Sequence, residues 1–135
     1  MLKKTITYTD YNGEKRTEDF YFNLSRAEVI EMNFTETGSL RQFLDKIIKE
    51  NNQKKLYELF KEVIMRAYGE KTEDGKRFVK SREMSEAFTQ TEAFSELVME
   101  FFNSPNATAA SDFINAIIPK QSENLAKPIL QQNAM

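Results

Sequence analysis

Two short runs near the N-terminus are rich in β-branched and aromatic residues, which favour strands. They occupy residues 5–8 and 19–22. Asn12-Gly13 lies between them, and this dipeptide is a strong hairpin signal because both residues tolerate a positive φ. We therefore predict a β-hairpin over residues 3–22. An isolated hairpin is only marginally stable in water, so it must pack on another part of the chain.

After the hairpin, apolar residues recur every three to four positions, which predicts about five amphipathic helices. Ser25 and Glu28 have the spacing of a capping box and begin a short helix over residues 26–33. Leu24 and Val29 flank this start and are suited to form a hydrophobic staple.

The second predicted helix follows Gly38-Ser39 and ends near Asn51-Asn52. Its apolar face comprises Leu40, Phe43, Leu44, Ile47 and Ile48. The apolar face of the third helix comprises Leu56, Phe60, Val63 and Ala67, joined by Tyr57 and Ile64. Gly69 stands at the position where a glycine commonly ends a helix as its C′ residue.

Residues 70–82 form a charged segment that predicts a loop with a turn at Asp74-Gly75. Phe78 and Val79 are its only large apolar residues, and we expect them to anchor it as a small second hairpin near residues 70–80. The sequence around Asp74 lacks the glycine and lysine spacing of a phosphate-binding loop, so a turn is the better interpretation.

Two more helices are predicted towards the C-terminus. Thr89 and Glu92 have capping-box spacing before the first, and Ser104-Pro105 caps and opens the second. The last helix has its apolar face at Ala110, Phe113, Ile114 and Ile117, and Pro119 ends it. The predicted fold class is α+β and mainly α, with one domain over residues 1–119 and a flexible polar tail over residues 120–135.

The composition excludes several classes of chemistry. The chain has no Cys and no His, so disulfides, thiolate zinc sites, histidine metal ligands and a Ser–His–acid triad are all excluded. The composition therefore argues against most enzymes, and we expect no cofactor and no metal. The 135 residues carry a net charge of −2, so the chain lacks the excess of basic residues that favours binding to nucleic acid. The chain starts without an apolar signal segment and has no apolar run that could span a membrane, so a cytosolic protein is expected.

Charge is unevenly distributed, because residues 91–119 contain four acidic residues and no Lys or Arg. Glu92, Glu96 and Glu100 are spaced by four and share one helix face. One interpretation is a carboxylate site for a cation or for acid–base chemistry, and the other is a solvated face. A docking surface for a basic partner is a further alternative.

The opposite face of that helix is apolar, and Phe is unusually common in the chain, at 11 residues. These phenylalanines either fill the core or leave part of a stripe exposed for another apolar helix or another copy of the chain.

Three segments give a resemblance to a known family. They are AYGEKTEDGKRFVKS at residues 67–81, EAFTQTEAFSEL at residues 86–97 and AASDFINAIIP at residues 109–119. Their order and spacing resemble the tail assembly chaperones of long-tailed bacteriophages that infect Gram-positive hosts. The resemblance extends from the hairpin to about Pro119, and the middle of the three segments is the most specific.

The resemblance implies a non-enzymatic assembly factor in the host bacterial cytoplasm that is absent from the mature virion. Such proteins bind the tape measure protein, keep it soluble and promote polymerisation of the tail tube around it. The major tail tube protein and a frameshifted longer form of the chaperone are further implied partners, and homo-oligomers are expected. The family supplies no catalytic residues.

On this basis we expect region 88–118 to bind the tape measure protein or a second copy. The candidate residues are Phe88, Phe94, Leu97, Val98 and Phe101 with Glu92, Glu96 and Glu100. Two alternatives stay open: a small phage-encoded adaptor or regulatory protein that binds a host protein, and an enzyme that uses carboxylates only. The second requires acidic groups that converge in one pocket.

Overall fold

The structure, a computed structural model, describes residues 1–33, 40–104 and 108–118. Its strands are β1 (Leu2–Thr9), β2 (Lys15–Phe22), β3 (Tyr68–Lys71) and β4 (Phe78–Val79). Its helices are α1 (Arg26–Asn33), α2 (Leu40–Glu50), α3 (Gln53–Ala67), α4 (Arg82–Thr89), α5 (Glu92–Asn103) and α6 (Thr108–Ile117). The predicted α+β class, the N-terminal hairpin and the second hairpin near residues 70–80 are confirmed.

The four strands form one antiparallel sheet in the order β1-β2-β3-β4. β1 and β2 pair along their whole length, from Leu2 opposite Phe22 to Thr9 opposite Lys15. β2 and β3 pair at only two positions, as do β3 and β4. The first hairpin is therefore extensive and local, whereas the second joins the sheet through a short contact.

The first hairpin turns through a loop that Asp10 organises. Its carboxylate accepts hydrogen bonds from the backbone N–H groups of Asn12 and Glu14, both at 2.9 Å. Gly13 adopts a φ of +82°, which a side chain would strain. Of the predicted Asn-Gly pair only the glycine uses the left-handed region, since the connection is longer than a two-residue turn.

One face of the sheet is covered by helices, and we call it the helix-covered face. In β1 it carries Lys4 and the buried Ile6, and in β2 it carries Phe20 and the buried Phe22. The opposite face of the hairpin is polar, and Thr5 and Asp19 hydrogen-bond across it at 2.6 Å. This alternation follows from the period of two along a strand, which separates buried and solvated side chains.

The core lies between the sheet and the helices and is rich in phenylalanine. The phenylalanine rings at its centre contact one another: Phe22 with Phe88 and Phe113, Phe60 with Phe101, and Phe88 with Phe94. Their centroids lie 4.4–6.0 Å apart, within the range in which aromatic pairs add stability beyond simple burial.

The start of α1 follows the predicted capping. At α1, Glu28 accepts from the Ser25 N–H at 2.9 Å, and Ser25 accepts from the Glu28 N–H at 3.2 Å. This reciprocal pair is the predicted capping box. At α3, Asn52 is the N-cap and accepts from the Lys55 N–H at 3.0 Å.

Before α5, the sequence pattern misses one helix, and one predicted cap is wrong. Residues 82–89 form α4, a helix that the pattern does not predict because few large apolar residues mark its buried side. Thr89 is the last residue of α4, and the N-cap of α5 is Thr91, which accepts from the Phe94 N–H at 3.4 Å. The Thr89–Glu92 capping box therefore does not form.

The predicted role of Gly69 is also wrong. It is a buried residue of β3 rather than a left-handed helix terminus, since only Gly13 and Gly75 among the described glycines have positive φ. A Cβ at Gly69 would lie 2.6 Å from the Val79 carbonyl oxygen and 2.8 Å from the Phe78 ring. The glycine is required by close packing of β3 against β4 and not by its φ.

Lys80 ties the second hairpin to the rest of the molecule. Its Nζ lies 2.8 Å from both carboxylate oxygens of Glu28 and donates to the backbone carbonyls of Asn23 at 2.6 Å and Arg66 at 2.8 Å. It thus joins β4 to α1, to the end of β2 and to α3. We call this group the Lys80 clamp.

Several predictions fall outside the described residues. They are the start of the second helix at Gly38-Ser39, the helix opening at Pro105, the helix end at Pro119 and the tail over residues 120–135.

Candidate partner-binding surface

α5 carries most of the candidate residues, and its sides face three different surroundings. A helix turns about 100° per residue, so neighbouring positions in the sequence lie on different sides. One side faces the core, one flank lies along β1 and the other flank lies near α3. The geometry of these three sides decides which candidate residues are accessible to a partner.

The core side holds the apolar part of the predicted stripe. Phe94, Leu97 and Phe101 are 7%, 1% and 2% exposed. Phe88, which lies on α4, is 3% exposed and stacks on Tyr68 with ring centroids 4.6 Å apart. Burial of this extent makes the four side chains part of the core of the described chain.

The flank along β1 holds Glu92, Glu96 and Glu100, and we call it the acidic flank. Glu100 accepts from the Lys4 Nζ at 2.5 Å. The Tyr11 hydroxyl donates to the Gln90 carbonyl oxygen at 3.4 Å, and interaction with the Glu92 carboxylate raises its pKa. Glu100 thus attaches α5 to the first hairpin through an ion pair.

Glu96 lies between Glu92 and Glu100 on this flank and is exposed. Within the described part of the chain it has no ion-pair or hydrogen-bond partner. An unpaired carboxylate on the surface is free to meet a cation from another molecule.

The flank near α3 is apolar, and we call it the apolar flank. It comprises Val98 and Phe102 of α5, both half-buried, and Tyr57 of α3, which is 37% exposed. The rings of Tyr57 and Phe102 have centroids 6.5 Å apart. These side chains leave apolar surface in contact with solvent.

An open groove begins beside Phe102, where α2, α3 and α5 meet. It is lined by Ile47, Ile48, Asn51, Asn52, Gln53, Leu56, Phe101, Phe102 and Ser104. The apolar floor and amide-bearing rim suit an apolar side chain of a partner helix better than a charged ligand.

Among residues 1–33, 40–104 and 108–118, no group of three or more acidic side chains could hold a metal ion. Of the three glutamates, Glu96 and Glu100 line one open cleft beside β1, where Glu100 is already paired with Lys4, and Glu92 does not line this cleft. No helix in these ranges is long and apolar enough to cross a membrane.

Sequence reasoning missed the residues that pair with the acidic flank and those that extend the apolar flank. Lys4 and Glu100 are 96 positions apart, so no local pattern connects them. Tyr57 and Phe102 belong to the apolar faces of their helices, but spacing does not show that these faces reach solvent. The helical periodicity identifies the apolar face of each helix, but it does not show where that face becomes exposed to solvent.

Comparison with known proteins gives one finding that bears on function. A family model described as a phage tail assembly chaperone matches residues 1–133. Neither the comparison with curated proteins nor the comparison with solved structures returned a significant match.

Proposed function

The chain belongs to the phage tail assembly chaperone family, and from this premise we propose that it binds the tape measure protein and keeps it soluble. It then promotes polymerisation of the tail tube around that protein. The observation that carries the proposal is the family match, because it extends over every described helix and strand. The family points to a non-enzymatic role.

The proposed contact surface is the accessible part of the candidate set on α5. Val98 belongs to the apolar flank, where Tyr57, Phe102 and the adjoining groove offer apolar surface to an amphipathic helix. Glu92, Glu96 and Glu100 form a charged rim that keeps the complex in solution. Phe88, Phe94, Leu97 and Phe101 hold α4 and α5 in place from the core and so shape this surface from inside.

The proposed setting is the host bacterial cytoplasm, with the protein absent from the mature virion. The proposed further partners are the major tail tube protein, a frameshifted longer form of the chain and other copies of the chain itself. All are protein partners, which suits a surface built from apolar side chains and carboxylates.

Co-expression with the tape measure protein tests the proposal. Val98→Asn with Phe102→Gln removes the apolar flank while α5 keeps its three most buried side chains, so we expect a folded chain that no longer keeps the partner soluble. The fraction of tape measure protein in the cleared lysate is the readout, and circular dichroism checks the fold. A matched control is Ser95→Asn, an exposed change on the same helix.

Substitutions in the core serve as the contrast. Phe94→Asp and Leu97→Asp place a charge in the core, which costs several kcal/mol, so we expect them to unfold the chain. Full solubilisation by the Val98/Phe102 variant would contradict the proposed surface. Recovery of a host protein instead of the tape measure protein in a pull-down from infected cells would favour the adaptor alternative.

A further inference from the structure

The tip of the first hairpin contains Asn12-Gly13, a dipeptide prone to a reaction between its side chain and its backbone. Asparagine is thermolabile because the carbon of its side-chain amide can be attacked by the backbone nitrogen of the next residue. A glycine in the next position favours this attack, since it has no Cβ to hinder the approach. The tip is therefore a candidate site of spontaneous covalent modification.

The reaction has two steps and changes no oxidation state. In the first, the backbone nitrogen of Gly13 loses its proton to solvent base and forms a bond to Cγ of Asn12. The bond from Cγ to Nδ2 breaks, and this nitrogen takes up a proton from water and leaves as ammonia. In the second step, water opens the resulting cyclic imide at either carbonyl carbon. The product at position 12 is aspartate or isoaspartate, in which the side-chain carbonyl has become part of the main chain.

Steric hindrance does not protect this site. A Cβ added at Gly13 would meet no atom of the described chain within 4 Å. Asn12 and Gly13 are both exposed, and the neighbouring Tyr11 is 76% exposed. Water and hydroxide therefore reach both reacting groups in the folded chain, so any protection comes from hydrogen bonds.

The attacking nitrogen is held by a hydrogen bond that points away from its target. The Gly13 N–H donates to the main-chain carbonyl of Asp10 at 3.0 Å. This bond must break before the nitrogen can lose its proton and approach Cγ of Asn12. An amide that donates a hydrogen bond becomes available to solvent only through local opening. The reaction therefore requires that residues 10–14, which we call the Asp10 loop, open first.

The Asp10 carboxylate closes this loop on both sides of Asn12. Its Oδ1 accepts from the N–H groups of Asn12 and Glu14, both at 2.9 Å, and its Oδ2 accepts from the Arg16 Nε at 2.6 Å. The Asp10 N–H donates in turn to the Glu14 carbonyl at 2.8 Å. The hydrogen bond from Arg16, with those from the two N–H groups, holds the pKa of the Asp10 carboxyl below its ordinary value, so the carboxylate keeps these contacts at neutral pH.

We propose that Asn12 is a deamidation site that the closed Asp10 loop protects, so that its modification identifies chains whose first hairpin has opened. In the folded chain the reaction proceeds only during brief openings of the loop. In a chain that has not formed the hairpin it proceeds at the rate of a free peptide. The extent of the reaction then measures how long the chains of a sample have been unfolded, and this property is independent of the proposed partner binding.

The isoaspartate product disfavours closure of the loop. It adds one carbon to the main chain between the carbonyl of Asp10 and the N–H of Gly13, which changes the spacing that this hydrogen bond requires. It also replaces a neutral amide by a carboxylate next to Asp10 and Glu14, and like charges at this distance repel. A modified chain is therefore expected to be less stable than an unmodified one.

Incubation at mildly alkaline pH tests the proposal. Trypsin cleaves after Lys4 and Lys15 and releases residues 5–15, in which Asn12 is the only asparagine. Liquid chromatography with mass spectrometry separates the asparagine, aspartate and isoaspartate forms of this peptide. We expect the folded chain to lose Asn12 about tenfold more slowly than a synthetic peptide of residues 5–15 or the chain in urea.

Two substitutions of aspartate in the same hairpin separate the loop from the rest of the strand pair. Asp10→Ala removes the acceptor that closes the loop, so Asn12 should be lost about fivefold faster. Asp19→Ala is the matched control, because it removes an exposed carboxylate that accepts one hydrogen bond, from Thr5, away from the tip. Its rate should equal that of the unchanged chain. Circular dichroism and urea unfolding show whether both variants fold.

Hydrogen exchange of the Gly13 amide gives a readout that does not depend on the modification itself. If opening of the loop limits the reaction, Asp10→Ala should accelerate this exchange and the loss of Asn12 by the same factor, while the amides of the paired strands exchange as before. Asp10→Asn retains an oxygen acceptor and should restore part of the protection.

Equal rates for the folded chain and the synthetic peptide would overturn the proposal. So would an Asp10→Ala variant that folds and loses Asn12 no faster than Asp19→Ala. If Asp10→Ala does not fold, the comparison of the unchanged chain with the peptide decides by itself. None of these measurements involves the tape measure protein, so failure of the proposed function would leave their outcome unchanged.

Discussion

Both hairpins of the sheet are antiparallel, yet β1 and β2 pair at eight positions while β3 and β4 pair at two. The first hairpin is stabilised along its length by cross-strand contacts such as that between the Thr7 and Thr17 hydroxyls, at 2.9 Å. The second depends on the Lys80 clamp and on the absence of a side chain at Gly69. Many weak contacts therefore stabilise one hairpin, and a few specific ones stabilise the other.

This difference predicts how each hairpin responds to a single substitution. Loss of one contact among many costs a few tenths of a kcal/mol to about 1 kcal/mol in a sheet. Loss of a contact on which several elements converge leaves other groups unsatisfied and costs more. Three experiments test the comparison, from the largest expected effect to the smallest.

The first experiment adds one methyl group to a glycine of each hairpin, Gly69 or Gly13, and the change at Gly69 is expected to have the largest effect. At Gly69 the new Cβ would overlap the Val79 carbonyl, so Gly69→Ala should lower the free energy of unfolding by about 3 kcal/mol. At Gly13 no atom lies within 4 Å, so Gly13→Ala should cost only the strain of positive φ, about 1 kcal/mol. Urea unfolding of both variants measures the two values. Equal losses of unfolding free energy in the two variants would contradict the view that the second hairpin depends on a few specific contacts.

An intermediate loss of unfolding free energy is expected when the Lys80 clamp is removed. Lys80→Met keeps the length of the side chain but leaves the carbonyls of Asn23 and Arg66 and the Glu28 carboxylate without their donor. The side chains of Lys80 and Glu28 are 20% and 36% exposed, so solvent compensates for part of the loss, and about 2 kcal/mol is expected. Lys76→Met, an exposed change in the same loop, is the control. A loss no larger than that of the control would show that the clamp is not important for stability.

The smallest effect is expected from acidification. Burial raises the pKa of Glu28, but hydrogen bonds from Lys80 and from the Ser25 backbone outweigh it, and the pKa lies below its ordinary value of 4.5. The unfolded chain therefore binds this proton more readily, so the stability that Glu28 contributes is present above that value and is lost as the pH falls through the lowered pKa. The difference in unfolding free energy between the unchanged chain and Glu28→Gln should shrink as the pH falls below 4.5 and through the lowered pKa of Glu28. A difference that does not vary with pH would contradict this linkage.

The same comparison shows how far the sequence predicts the fold. The first hairpin can be predicted from the local sequence, because strand residues, a turn signal and a cap at Ser25 follow each other along the chain. The second depends on Lys80 reaching Glu28, 52 positions away, and on the fit between Gly69 and Val79. A charged loop and a glycine are visible in the sequence, but their partners are set by the tertiary structure.

The candidate site follows the same rule. Spacing correctly places three glutamates on one flank of α5, but it does not show that Lys4 pairs with one of them. It identifies Phe94, Leu97 and Phe101 as one face without deciding between core and contact surface. Whether the face is core or contact surface depends on which elements cover it. One of the elements that pack against α5 is α4, which the sequence pattern does not predict.

The Lys4–Glu100 pair has a consequence for synthesis of the chain. The hairpin leaves the ribosome before α5, and the helix that covers Ile6 and binds Lys4 follows about 90 residues later. At bacterial elongation rates this delay is roughly 5 to 20 s. During this time the apolar side of the hairpin is without α5, so the nascent chain exposes an apolar strand surface until α5 has been translated.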